Sequence, residues 1–222
     1  MKHLHTAQFS IFLIAVGLVL SLSACDDSNP VGPEETVELG VQTVEDLPAD
    51  PAVRIGPRGP EGLGQFTFFS LRDDEVVLAH DADSRADSAS TEWDIALQGT
   101  TIRVNGGASG PGNGAAYVAE ADFEEVTDVD VDRLEADAND ALAIPTGSGN
   151  GWYTYNANGN NLVRPIPGRT LVIRTADGEG YAKIRIVSYY EGAPDDPASS
   201  DADGRYYTFD YVARTDGEPV FE

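Results

Sequence analysis

Two stretches late in the chain, YAKIRIVSYY (181–190) and RYYTFDYVAR (205–214), alternate their side chains with a period of two. That period belongs to extended chain, whose successive side chains face opposite ways. In the first, Ile184, Ile186 and Tyr190 fall on one face, and Lys183, Arg185 and Tyr189 on the other. In the second, Tyr207, Phe209 and Tyr211 fall together. The polar loop 191–204 between them predicts a hairpin. The same period starts at Phe66 and continues through FTFFSL (66–71), EVVLAH (75–80) and EWDIALQ (92–98). It returns in TIRV (101–104), WYTYN (152–156) and TLVIRT (170–175). Trp93, Ile95 and Leu97 share a face, and a tight turn at Gly99 lets TIRV pair back onto them. Only VDVDRLEADANDAL (129–142) hints at a helix, and its Asp and Asn are poor helix formers. The expectation is one all-β domain, mostly antiparallel, over residues 63–222.

The N-terminus reads differently. Lys2 precedes the apolar run IFLIAVGLVLSL at 11–22, too short to span a bilayer as a helix and suited to a signal peptide. The run ends in LSAC, which resembles the lipobox of bacterial lipoproteins. This implies a signal peptide over 1–24, acylation of Cys25, and a chain attached to a membrane rather than spanning it. Cys25 is the only cysteine, so no disulfide can form within the chain. Residues 25–62 are rich in proline and acidic residues and read as a solvated tether. CDDSNP, at its start, resembles surface-export signals of some Bacteroidota lipoproteins, and reads equally as an ordinary polar tether. The expected location is the outer membrane, on the cell surface or facing the periplasm.

Charge excludes one class of partner. The chain has 38 acidic and 14 basic residues, a formal net charge of −24. Nucleic-acid binding needs a basic footprint, which is missing. Many acidic residues with a single lysine after Lys2 fit a halophilic habitat, where salt screens self-repulsion. Equal stability in dilute and molar salt would remove that reading.

The glycine-rich stretch after TIRV invites a phosphate-loop reading. Gly107 and Gly112 have the spacing, but Asn113 and Gly114 follow where such a loop needs Lys and Ser or Thr. No helical pattern follows Gly114 to make a dinucleotide site. The acidic loop 128–140 places Asp128, Asp130 and Asp132 as in a calcium loop. Arg133 then stands where Gly is needed and Asn139 where Glu is needed. A solvated charge run, or loose Ca²⁺ binding, is what remains. Nothing points to catalysis: there is no G-x-S-x-G motif, and His80 is the only histidine beyond the signal peptide.

One stretch is more specific. WDIALQGTTIRVNGGASGPGNGAAY (93–117), with FTFFSL before it and YAKIRIVSYY and RYYTFDY after it, resembles the signature of the HmuY family. These are secreted or lipid-anchored haem-binding proteins of Bacteroidota. The resemblance covers about residues 64–214. It implies an all-β fold with a cleft between projecting hairpins, and capture of haem or a related tetrapyrrole for a TonB-dependent outer-membrane receptor. Within the motif, Trp93, Asp94, Asn105, Gly106 and Gly107 take structural roles. Trp93 belongs in the core, Asp94 bonds the backbone of the glycine loop, and Asn105 caps the turn that opens it.

The family's usual axial ligands, paired histidines or methionines, are missing from residues 115–180. Tyr can also hold haem iron. Candidate ligands are therefore Tyr153, Tyr155 and His80, with Arg164 or Arg169 able to favour a tyrosinate if near it. Asn161 stands where many relatives carry histidine. The alternative is the same fold binding a different ligand: a hydrophobic small molecule, a glycan or a protein.

Overall fold

The computed structural model describes residues 39–57, 59–156 and 161–222. The expected signal segment, Cys25 and the first part of the expected tether lie outside them.

The described chain is built from antiparallel strands, with three short 3₁₀ turns and no α-helix among the described residues. The strands are β1 (Gln42–Pro48), β2 (Arg54–Gly56), β3 (Gly59–Glu61), β4 (Thr67–Ser70), β5 (Glu75–Leu78), β6 (Ile95–Gln98) and β7 (Thr101–Val104). They continue as β8 (Ala115–Ala119), β9 (Tyr153–Asn156), β10 (Leu162–Pro165), β11 (Thr170–Arg174), β12 (Tyr181–Tyr190) and β13 (Gly204–Arg214). A five-stranded sheet runs β1-β13-β12-β11-β8 and a four-stranded sheet runs β5-β4-β6-β7. Two further hairpins, β2–β3 and β9–β10, stand apart as separate two-stranded units.

The main core lies between the two larger sheets. Phe69, Ile95, Leu97, Ile102 and Val104 meet Leu171, Ile184, Tyr207, Phe209 and Tyr211 there. Phe69 sits edge-on to Phe209, with ring centroids 5.8 Å apart. Tyr207, Phe209 and Tyr211 are fully buried, as their alternation predicts. The outer faces are covered too. Val172 and Val212 lie under Phe123, Val126 and Phe221, while Phe68 and Ala96 lie under Trp93. Sheets covered on both faces read as continuous apolar runs, which is why FTFF and TLVI lack clean alternation.

Four expectations need correction. The reading of 25–62 as a tether fails over its second half. β1 pairs with β13 from Gln42↔Tyr211 to Pro48↔Tyr206, and β2 pairs with β3. The prolines misled because Pro48 ends β1 and Pro57 and Pro60 lie at or beside the hairpin turn, where a missing N–H costs little. Trp93 does not share a face with Ile95 and Leu97. The regular strand begins only at Ile95, and the indole packs on the opposite side with Phe68, 4.8 Å away. Tyr189 is not on the outer face with Lys183. Register shifts between Ile186 and Tyr190 turn both Tyr189 and Tyr190 inward.

The helix hint at 129–142 also fails. Beyond one 3₁₀ turn at Val131–Arg133, the segment is a strap over two sheet edges. Glu135 and Ala116 exchange backbone hydrogen bonds of 2.8 and 3.1 Å at the β8 edge. The buried Asp137 carboxylate accepts the N–H of Val104 on β7 at 3.0 Å and that of Ala143 at 2.8 Å. An uncovered sheet edge invites pairing with other chains, and the strap removes it.

Candidate functional site

The Trp93–Asp94–Asn105 motif is structural in geometry. Asn105 is fully buried. Its amide donates to the carbonyls of Ser90 and Trp93 at 2.9 and 2.8 Å and accepts the N–H of Gly112 at 3.0 Å. The glycine loop folds back over it: a Cβ on Gly110 would lie 2.1 Å from Asn105 Oδ1 and 2.8 Å from the Trp93 ring. Gly107 takes φ +57°, which glycine tolerates best. The glycines therefore serve close approach of chain to chain.

Contrary to the sequence expectation, the Asp94 side chain does not bond the glycine loop directly. Its buried carboxylate accepts the N–H groups of Leu71 and Ala176, each at 2.8 Å, and pairs with Arg72 at 3.1 Å. It thereby joins the β4–β5 turn to the β11–β12 turn. The link to the glycine loop runs through Ala176, whose carbonyl accepts the N–H of Asn113 at 2.7 Å. Burial pushes the Asp94 carboxyl upward, opposed by the Ala176 N–H, the Arg72 guanidinium and the Leu71 N–H. Arg72 also reaches Asp177 at 3.2 Å.

A cleft opens between the β2–β3 and β9–β10 hairpins. In β9, Tyr153 and Tyr155 share one face. Tyr153 is anchored in the core, 5.0 Å from the Trp152 ring, while Tyr155 emerges 44% exposed. Val163, opposite Tyr155 on β10, is tied by its N–H to the Tyr190 hydroxyl at 3.0 Å. Across the gap, β2 presents Ile55, 80% exposed at the hairpin. The base of that hairpin is held by Asp50, whose carboxylate accepts the N–H groups of Leu63 at 2.6 Å and Gly64 at 3.0 Å.

The cleft has two lobes of about 460 Å³ each. One is lined by Ile55, Pro60, Asn161 and Tyr190, the other by Gly99, Thr100, Ser148 and Tyr153. Tyr155, Val163, Tyr189 and Arg205 line both. Its floor is aromatic: Tyr189 lies 5.6 Å from Tyr190, 5.5 Å from Tyr207 and 6.0 Å from Trp152. Burial drives the Tyr189 phenol well above its usual range, and Arg205 works against that shift.

Two other depressions have their charges already matched or their donors ill arranged. On the far side of β10, Arg164 pairs with Asp196, and Arg185 pairs with Glu124 and Asp210. Beside the strap, Glu120, Asp132 and Glu135 line a shallow recess. Among the described residues, no group of three or more His, Cys, Asp or Glu is placed to hold a metal ion.

The structure separates the sequence-level candidates. Tyr153 and Tyr155 line the cleft together, but the Tyr153 hydroxyl is engaged by Thr100 at 3.2 Å. Tyr155 donates to Asn161 Oδ1 at 2.9 Å, on the exposed side. His80 follows the end of β5, lines neither lobe, and leaves Nδ1 buried with no partner among the described residues. Arg164 and Arg169 also line neither lobe. Arg169 instead donates to the carbonyls of Asn150 and Gly151. Sequence reading missed Tyr189, Tyr190 and Arg205. The only available signal was the Tyr pair and the Gly-Arg step flanking the polar loop 191–204.

The model of the family described as HmuY protein matches residues 64–211. Among solved structures, the chain is similar to the apo HmuY analog of Tannerella forsythia, with 16% identity and a TM-score of 0.41. That match covers 79% of this chain and 95% of the other. A comparison with curated proteins gives no match. With the family model covering two thirds of the chain, including the four-stranded sheet, most of the five-stranded sheet and the β9–β10 hairpin, this chain belongs to the HmuY family.

Proposed function

We propose that this protein is a lipid-anchored, non-enzymatic binding protein of the outer membrane. It captures haem or a related tetrapyrrole in the cleft between the β2–β3 and β9–β10 hairpins and delivers it to a TonB-dependent receptor. The observation that carries this reading is the convergence of Tyr155, Tyr189, Tyr190 and Arg205 on a single cleft with exposed Ile55 at its rim. A flat apolar ligand gains by leaving water for aromatic walls. Of the three candidate iron ligands, Tyr155 alone combines an exposed side chain with a place in both lobes. Cys25 as an acylation site supplies the anchor.

A second reading keeps the cleft and changes the ligand. It is favoured by the absence of methionine beyond Met1 and by the place of His80 outside both lobes. Titration of the protein with ferric and ferrous haem distinguishes the two. A shifted Soret band saturating at one haem per chain, lost in Tyr155→Phe, supports the first. A spectrum that stays that of free haem in both oxidation states removes it and leaves the second.

A further inference from the structure

The cleft contains a charge that its apolar character does not explain. Among the described residues, Arg205 is the only cation lining either lobe, and it lines both. Its backbone is held at φ +72°, an uncommon conformation for a residue with a side chain. Such a conformation persists where the surroundings fix it. Three contacts do so: Ala49 N–H donates to the Arg205 carbonyl at 2.7 Å, and the guanidinium donates to the carbonyls of Asp50 at 2.8 Å and Pro60 at 2.9 Å. Gly204, just before it, lets the Tyr189 ring pack close: a Cβ there would sit 3.2 Å from that ring. The side chain is thus braced at the base of the β2–β3 hairpin.

The brace answers the charge only in part. The two carbonyls and the neighbouring Tyr189 phenol carry no formal charge and leave part of the five-donor guanidinium fork free. The nearest carboxylate, Asp50, is 3.8 Å away, and its oxygens already accept the N–H groups of Leu63 and Gly64. The other acidic residue on the cleft wall, Asp203, makes no ion pair with Arg205. The Arg205 side chain remains 24% exposed.

We infer that Arg205 is the specificity residue of the cleft and selects ligands that carry an acidic group on a flat apolar body. This rests on the cleft being the ligand site, as proposed above. A carboxylate or sulfonate entering between the hairpins meets a pre-positioned guanidinium over an aromatic floor. Charge-assisted hydrogen bonds to such a donor are shorter and stronger than neutral ones. The bulk field opposes this choice. A chain of net charge −24 repels anions, so an anion preference must come from a local cation.

The test uses two fluorescent probes of nearly the same shape, anilinonaphthalene sulfonate and uncharged phenylnaphthylamine, with Arg205→Gln and Arg205→Lys. Arg205→Gln keeps an amide donor for the Asp50 or Pro60 carbonyl, and circular dichroism reports whether each variant folds. The expected result is about tenfold weaker binding of the sulfonate to Arg205→Gln, little change for the uncharged probe, and most of the affinity retained in Arg205→Lys. Equal losses for both probes would make Arg205 a brace only and overturn the inference. So would unchanged binding of both, or no binding of either to the parent protein. A parallel titration with protoporphyrin IX and its dimethyl ester keeps the two ideas apart. If the sulfonate preference holds and neither porphyrin binds, the tetrapyrrole reading fails and the acid selectivity stands.

Discussion

Tyr207 and Tyr155 show how the sandwich and its two hairpins divide the work. Tyr207 is fully buried, its ring among Trp152 and Tyr189 and its hydroxyl donating to the Gly99 carbonyl at 2.9 Å. Tyr155 is 44% exposed, and among the described residues its hydroxyl meets only a neighbour on the same hairpin. In the sandwich, most apolar side chains are covered, Val76 and Val187 being half exposed exceptions, and each buried polar group of the Trp93–Asp94–Asn105 motif finds partners. In the hairpins, Ile55 and Tyr155 stay open to solvent, and the Arg54–Glu61 pair, 73% and 32% exposed, adds little stability. The β9–β10 hairpin sends Tyr153, Leu162 and Val163 into the core and leaves Tyr155 outside it, while the β2–β3 hairpin leaves Ile55 uncovered. Apolar groups left exposed on opposing elements mark a surface for a partner or ligand.

The largest effect that would sharpen this division is in the body. Trp93→Ala removes a fully buried indole and the wall on which the glycine loop rests. A loss of about 3–5 kcal/mol is expected from a denaturant titration. A loss under about 1 kcal/mol would mean that the motif is not the keystone its contacts indicate.

Alkali probes the same contrast through ionisation. Burial raises the phenol pKa of Tyr189, Tyr207 and Tyr211, with Asp74 adding to the effect at Tyr211. In the unfolded chain these phenols ionise near pH ~10. Because the folded values are raised, the native state holds more protons than the unfolded state above that pH. The stability contribution is complete below pH ~10 and declines as pH rises beyond it. Tyrosinate absorbance from these side chains should therefore appear together with loss of the β-sheet circular-dichroism signal. Full titration of all tyrosines with the sheet signal intact would contradict the packing described for the floor.

Much of this division could be read from the residues, and the failures have physical causes. The β6–β7 and β12–β13 hairpins were legible because each has a polar or glycine turn between period-two strands. β1 to β3 were not, since edge strands and hairpin turns tolerate the prolines that look like linker. The cleft was half legible. Tyr153 and Tyr155 stood out in WYTYN, but the inward turn of Tyr189 depends on bulges in β12, which alternation cannot show. Arg205 was invisible because its value comes from a backbone at positive φ and from carbonyls of Asp50 and Pro60, about 150 residues away. The roles of Asp94 and Asp137 were hidden likewise, since their partners lie on other elements.

The hairpins should respond in the opposite sense to the body. Tyr155→Phe removes one exposed hydroxyl and should change stability by no more than about 0.5 kcal/mol, the usual range for surface positions. If Tyr155 ligates haem iron, the same substitution abolishes the shifted Soret band. Loss of fold instead would place Tyr155 with the body.

Ile55→Ser gives the smallest stability effect and the finest test of the comparison. With 80% of Ile55 exposed, the folded chain has little apolar burial to lose there, so the unfolding midpoint should stay within the same range of about 0.5 kcal/mol. Its effect should appear when the cleft is filled. Burying an isoleucine side chain contributes about 1.5–3 kcal/mol, so an occupant that covers Ile55 should bind Ile55→Ser at least about tenfold more weakly. The measurement is phenylnaphthylamine binding, whose uncharged body reads the apolar rim without Arg205. Unchanged affinity would mean that the β2–β3 hairpin does not close on what the cleft holds, and that recognition belongs to the β9–β10 side and the aromatic floor alone.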